Sequence, residues 1–182
     1  MEPAANAQEA AAQFKQAMRA FAGAVTLITS SHAGHRYGMT ATAVCSVSAD
    51  PPTLLVCINR ATRTHGAIAK SGVFCVNVLR YEDRELSAIF SGAQKGEGRF
   101  RAGEWLRLAT GAPVLASALV SFDCRVAARH DHGTHSVFFG AVVALRMGAK
   151  GRPLLYANGQ YAELAALHHG EPLPEGLDYW GY

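Results

Sequence analysis

The chain has 182 residues, about one domain's worth on a scale of ~150 residues per domain. Hydrophobic residues make up 49% and charged residues 17%, enough for a sizeable core and unlike a disordered chain. Lys and Arg number 17 against 14 Asp and Glu, and the net +3 is scattered. That balance excludes a nucleic-acid binder of the basic-stripe kind and leaves room for a local site that attracts a phosphate-bearing small molecule.

The chain starts Met1-Glu2-Pro3 with neither a basic n-region nor an apolar h-region, which speaks against a secretory signal. No stretch approaches ~18 uninterrupted apolar residues, so no membrane span is expected. Cys45, Cys57, Cys75 and Cys124 sit far apart in apolar runs, with no C-x-x-C pair. They read as buried free thiols in a reducing cytoplasm.

Phe14, Met18 and Phe21 recur at helical spacing, which predicts a helix over 10–21 ended by Gly23. Residues 24–31 are β-branched and strand-like, and the turn 32–35 leads into a second extended run, 36–47, forming a hairpin. Asp50-Pro51-Pro52 breaks the chain. Residues 53–59 are almost wholly apolar, as in a strand buried on both faces. Thr62 or Thr64 can cap a short helix through Lys70, ended by Gly72. Residues 73–79 predict a strand, 82–91 a helix, and the Gly-rich, charged stretch 91–100 a mobile loop.

From Ala118 to Val126 apolar residues alternate with Leu119, Ser121, Asp123 and Arg125, a period-two strand with one wetter face. A loop over 128–134 leads into a strand over 135–147, a turn over 148–151 and a last short strand over 153–156. Six or seven strands and about three helices, with strand following strand, predict a mainly β fold: a largely antiparallel barrel with a few decorating helices. Residues 1–182 read as a single domain with a core over about 14–161 and tails at 1–9 and 168–182. The second tail carries Tyr179, Trp180 and Tyr182 as candidate anchors.

There is no G-x-G-x-x-G after a strand, no G-x-x-x-x-G-K-[ST], no G-x-S-x-G and no H-E-x-x-H. Three constellations remain. Asn59, Arg60, Thr62, Arg63, Thr64 and His65 join hydroxyls, guanidinium groups and helix N-terminal amides, which suits an anion; the same residues equally make a capped helix with solvated arginines. Tyr37, Gly38, Met39, Thr40, Ala41, Thr42 and Ala43 form a strand whose small residues leave the backbone open to a flat heterocycle, or simply a Thr/Ala-rich strand. His130, Asp131, His132 and His135 could ligate zinc, but their spacing fits no standard structural site, so no metal is expected.

With these residues in order the chain resembles the short-chain flavin reductases, the reductase components of two-component flavin-dependent monooxygenases. The carrying segments are 38–43, 46–57, 74–79, Gly133-Thr134-His135 before 137–140, and 152–156, and the likeness runs from about Phe14 to Tyr161. Residues 43–47 and 118–125 look most like the reductase of the bacterial pyrimidine-utilisation pathway. The spacing of Tyr156, Gly159 and Tyr161 looks more like the reductases of 4-hydroxyphenylacetate monooxygenases, and Thr134 stands where those more often carry Asp.

The resemblance implies an FMN-binding split β-barrel working as a homodimer in the cytoplasm. It implies hydride transfer from NADH or NADPH to FMN or FAD, with reduced flavin passed to a partner monooxygenase, and neither nucleic acid nor membrane as a partner. It implies a flavin against Gly38, Met39, Thr40, Thr42 and Ala43, with Tyr37 and Cys57 also binding cofactor. The phosphate would sit at Arg63 and Thr64, near Asn59 and Thr62. Phe90 and Arg99 match positions near the flavin, His135 a histidine close to the nicotinamide, and Tyr156, Asn158 and Gly159 a segment that helps hold NADH. The competing readings are a split-barrel FMN oxidase of the pyridoxamine-phosphate type and a non-catalytic flavin-binding or storage protein.

Overall fold

The computed structural model describes residues 7–94, 96–148 and 150–164; the anchors expected at Tyr179, Trp180 and Tyr182 lie outside them. Helix α1 (Ala7–Met18) starts three residues earlier than the periodicity predicts and ends before Phe21. Strand β1 (Gly23–Ala24) is followed by the expected hairpin of β2 (Thr26–His32) and β3 (His35–Ala41). Ala33 and Gly34 have φ of 49° and 78°, the two-residue turn whose twist suits a hairpin. The second extended run does not continue to 47: it breaks at Thr42-Ala43 and resumes as β4 (Val44–Ala49), which pairs with β5 (Pro52–Asn59).

Helix α2 (Arg63–Ser71) is bounded as its caps require: Thr62 Oγ1 accepts from His65 N at 3.2 Å, and Gly72 closes it at φ 68°. Strand β6 (Val73–Val78) follows. The helix expected over 82–91 is three pieces: a 3-10 turn (Tyr81–Asp83), helix α3 (Arg84–Ala88) and a wide turn (Ile89–Ala93) that ends where Gly92 takes φ 134°. The segment expected to be a mobile loop carries a further 3-10 turn, Glu97–Arg101. Strands β7 (Trp105–Arg107) and β8 (Pro113–Leu115) form a small sheet too short for any periodicity to announce.

Strands β9 (Val120–His132) and β10 (His135–Met147) make a long hairpin, so the loop expected over 128–134 shrinks to Gly133-Thr134. Residues 129–132 lack apolar alternation because this arm of the hairpin is exposed. Strands β11 (Leu155–Ala157) and β12 (Gln160–Ala162) complete the described chain.

The main sheet runs β3-β2-β6-β9-β10-β5-β4, and β1, β11 and β12 form a second sheet. Laid flat, the edge strands β3 and β4 would be six spacings of ~4.8 Å apart, roughly 29 Å. Only Thr42 and Ala43 separate them in the chain, and three Cα steps of ~3.8 Å hold Ala41 and Val44 within about 11 Å. The sheet therefore rolls until its edges converge at that corner, without a ladder between β3 and β4 among the described strands. This is the expected mainly β architecture with helical decorations, rolled and not closed.

One core cluster fills the roll, built on Ile28, Val56, Ile58, Ile68, Phe74 and Phe138. A second, with Leu27, Leu79, Phe90, Phe100, Leu115 and Leu154, packs under the helical turns. Two burial expectations change. In β5 only Leu54, Val56 and Ile58 are buried, and the alternate residues are half-exposed. In β9 the polar residues Ser121 and Asp123 are fully buried, held by hydrogen bonds to Asn77 and Thr110. Cys75 and Cys124 are buried free thiols as expected, whereas Cys45 is exposed and Cys57 half-buried. Burial raises the Cys124 thiol to about 12, reinforced by the neighbouring Asp123 charge.

Candidate functional site

Strand β3 is a sheet edge, so every second residue offers backbone N–H and C=O groups outward. Two clefts lie in tandem along it. The first, about 160 Å³, is lined by His35, Arg36, Tyr37 and Gly38 of β3, Arg63 and Thr64 of α2, and Gly96, Glu97 and Arg99 of the 3-10 turn. The second, about 380 Å³, is lined by Thr40, Ala41 and Thr42 further along β3, with Val25, Ser91, Tyr156, Gly159, Gln160 and Tyr161.

The first cleft has the chemistry of an anion site. Three guanidinium groups, Arg36, Arg63 and Arg99, face one carboxylate, Glu97. The first turn of α2 brings amides that precede the helix's own hydrogen bonds, with the positive end of its dipole. Arg99 is fixed from both sides: its Nε donates to Gly96 O at 2.9 Å and one terminal nitrogen to Gly38 O at 2.7 Å. Burial works against the Arg99 charge, and so does the nearby Arg63. Gly38 is needed here, since a Cβ would lie 2.8 Å from Phe90 Cε1. Phe90 is thus a support, buried beneath β3 and packed edge-on to Phe100 at 5.0 Å, with Arg99 over its ring.

The second cleft is aromatic. Tyr156 and Tyr161 meet edge-to-face at 5.9 Å. Tyr161 Oη donates to Ser87 Oγ at 2.9 Å, and Thr40 Oγ1 donates to Ser87 O at 2.7 Å, so both walls are tied to the same buried serine. Asn158, at φ 51°, donates its N–H to Arg19 O at 2.7 Å and so anchors the Asn158-Gly159 turn to the chain just past α1. Of the remaining residues expected near the flavin, Met39 packs against the core of the roll, and Ala43 O accepts from Cys57 N at 3.0 Å.

A third cleft, about 500 Å³, lies between Asn59, Arg60, Ala61, His65, Arg129, Gly133 and Thr134. Asn59 shapes the turn into α2: its Oδ1 accepts from Ala61 N at 2.9 Å, and its backbone oxygen accepts from Thr62 Oγ1 at 2.8 Å. His135 opens β10 opposite Asn59 of β5 and is exposed, its Nδ1 2.8 Å from Thr134 Oγ1. It does not line either cleft of β3. Beneath it Ser136 Oγ donates to Asp131 Oδ1 at 2.6 Å and lies 2.8 Å from His65 Nε2, which ties the hairpin to α2. Burial and the Arg129 charge lower the His65 pKa, favouring a neutral ring. Asp131 is held well below the usual carboxylate range by its paired hydrogen bonds from Arg129, at 2.6 and 2.5 Å, and by that from Ser136.

Sequence reasoning brings Tyr37, Gly38, Arg63, Thr64 and Arg99 to one cleft and Thr40, Thr42, Tyr156 and Gly159 to the next. It missed Arg36, Glu97 and Tyr161. Tyr161 had a signal, its spacing from Tyr156 and Gly159; Arg36 and Glu97 are 61 positions apart and had none. Among the described residues no group of three His, Cys, Asp or Glu is placed to hold a metal ion. No helix among them is long and apolar enough to cross a membrane.

An anion cleft and an aromatic cleft along one strand edge suit a ligand with a phosphate at one end and a flat ring system at the other. A flavin nucleotide is such a molecule, and the donor set fits it.

Comparison with known proteins points the same way. Residues 18–165 match the family model described as a flavin reductase like domain. The chain is 48% identical over 154 residues, 85% of its own length and 77% of the relative's, to a protein of Methylorubrum extorquens named FMN reductase (NADH) RutF 1. It superposes with a TM-score of 0.85 and 32% identity on nitrilotriacetate monooxygenase component B from Mycobacterium thermoresistibile, covering 96% of this chain and 98% of that one. It superposes at 0.79 and 29% identity on BorF, the flavin reductase component of a bacterial two-component tryptophan halogenase, covering 86% of this chain and 99% of that one. A family model that spans most of the chain and relatives of this identity make the chain a member of the flavin reductase family.

Proposed function

We propose that the chain is an NADH-dependent FMN reductase that supplies reduced flavin to a partner monooxygenase. The observation that carries this reading is the tandem of clefts along β3. Arg63, Thr64 and Arg99 would hold the flavin phosphate, and Thr40, Thr42 and Tyr156 would flank the ring. A flavin held by these residues would supply the chemistry, that of a hydride acceptor. The chain's own work is binding and orientation: hydride transfer needs two rings face to face and no covalent nucleophile. His135, outside both clefts of β3, would position the pyrophosphate arm of NADH and not act as a base. FMN and NADH are chosen over FAD and NADPH because the named relative uses that pair.

A homodimer is part of the proposal. Phe14, Met18 and Phe21 around α1 and Val143, Leu145 and Met147 on β10 are large apolar side chains left exposed, the pattern of a surface that a second copy covers.

Purified protein stripped of flavin and given NADH tests the activity. Saturable NADH oxidation that depends on added FMN is expected. Flavin binding without turnover contradicts the reductase and favours an oxidase or a storage protein. In His135→Ala the KM for NADH should rise about fivefold, the scale of one net hydrogen bond, with FMN affinity unmoved. Unchanged NADH kinetics would remove His135 from the site.

A further inference from the structure

Glu97 is out of place in a cleft that otherwise attracts anions. It sits between Gly96, at φ 72°, and Gly98, on the same 3-10 turn that delivers Arg99. Arg99 points inward to Gly38 O, whereas the Glu97 carboxylate stays at the rim, its side chain 41% exposed. There its Oε1 lies 3.0 Å from Arg36 Nε and its Oε2 3.3 Å from His35 Nδ1. These partners hold the carboxyl below its ordinary range, Arg36 first and then His35, so it is charged at neutral pH. The latch neutralises Arg36. Arg63 and Arg99 remain as the cations for one phosphate group.

This arrangement matches a phosphate that ends the ligand. A monoester carries nearly two charges at pH 7 and stops at Arg63 and Arg99. The inner phosphate of a dinucleotide is joined through an anhydride to a second phosphate, which would run on toward the rim and meet a carboxylate and an arginine already paired.

We propose that Glu97, latched to Arg36 and His35, is a specificity residue that selects flavin mononucleotide against flavin adenine dinucleotide. The proposal rests on the flavin-binding reading of the cleft. Removing the carboxylate leaves the inner phosphate position intact, frees Arg36 and opens the route that the second phosphate and the adenosine would take.

The test is the Kd of FMN and of FAD, read by flavin fluorescence, for the wild type, Glu97→Gln and Glu97→Ala. The wild type should prefer FMN. The ratio of the FAD Kd to the FMN Kd should fall about fivefold in Glu97→Gln, the upper scale of one exposed charge pair, and further in Glu97→Ala, where bulk is also lost. An unchanged ratio overturns the proposal, whether the two affinities move together or not at all. So does a wild type that binds both flavins equally. FMN-dependent NADH oxidation by the wild type is read separately: its absence defeats the reductase reading, while the Kd ratio still decides the role of Glu97. Binding of neither flavin overturns both.

Discussion

Around Asn77 and around Arg63 the molecule uses polar groups in opposite ways. The Asn77 side chain is fully buried and fully partnered: its nitrogen donates to Leu27 O and Thr29 Oγ1, and its oxygen accepts from Leu115 N at 2.8 Å and Ser121 Oγ at 2.9 Å. Asp123 likewise accepts from the Thr110 amide at 2.8 Å and from the Thr110 hydroxyl. At the cleft beside Arg63, three guanidinium groups line the wall with one carboxylate, Glu97, which pairs with Arg36 alone among them. Low dielectric makes an unmet polar group costly, so the closed network serves the fold. Cations in excess of their partners, at the surface of a cleft, are the feature from which a ligand site is proposed.

The contrast is broken most strongly from the fold side. Asn77→Ala leaves the buried Leu115 amide and Ser121 hydroxyl without partners and should lower stability by about 3 kcal/mol in urea unfolding. FMN affinity of the native fraction should stay within about twofold, less than a net hydrogen bond is worth. A large loss of affinity at unchanged stability would place Asn77 in the site instead.

Gly38 lies where the two uses meet. Gly38→Ala sets a Cβ against Phe90 and, through it, disturbs the support under Arg99. A stability loss of about 2 kcal/mol, in the range of overpacked positions, should come together with weaker FMN binding. Loss of stability alone would mean that Arg99 does not depend on this packing.

The smallest effect is expected at the hairpin tip. Asp131 has a depressed pKa in the fold, so its contribution is present above its unfolded value of about 3.9 and is lost as pH falls through the folded one. Asp131→Asn should lower the Tm at pH 7, and the gap should close as the pH drops below about 4. A gap that is constant with pH would assign the effect to shape and not to charge.

What the sequence reveals follows from how far apart partners lie. Helix α2 is legible because Thr62 and Gly72 are local caps, and Arg63 and Thr64 stand out as a candidate anion site because a helix start carries its own donors. β10 is legible through its apolar run. The break at Thr42-Ala43 is not, since only the partners of β3 and β4, on opposite edges of the sheet, impose it. Ser121 and Asp123 read as a wet face because their donors, Asn77 and Thr110, come from other segments. For the same reason the Gly-rich segment hid a turn that carries Arg99 to Gly38, and Glu97 to Arg36. His135 was legible as a motif, yet its place beside the third cleft, away from β3, follows only from the pairing of β10 with β5.

In the proposed reading the excess charge beside α2 holds a flavin phosphate. Riboflavin shares the ring of FMN and lacks the phosphate, so the two ligands separate the clefts. The decisive measurement is the Kd of both for the wild type and Arg63→Ala. The wild type should bind FMN more tightly than riboflavin. Arg63→Ala should weaken FMN about tenfold or more, on the scale of one charge-assisted hydrogen bond, and leave riboflavin unmoved, so that the preference collapses. A preference for FMN that survives intact in Arg63→Ala would contradict the assignment.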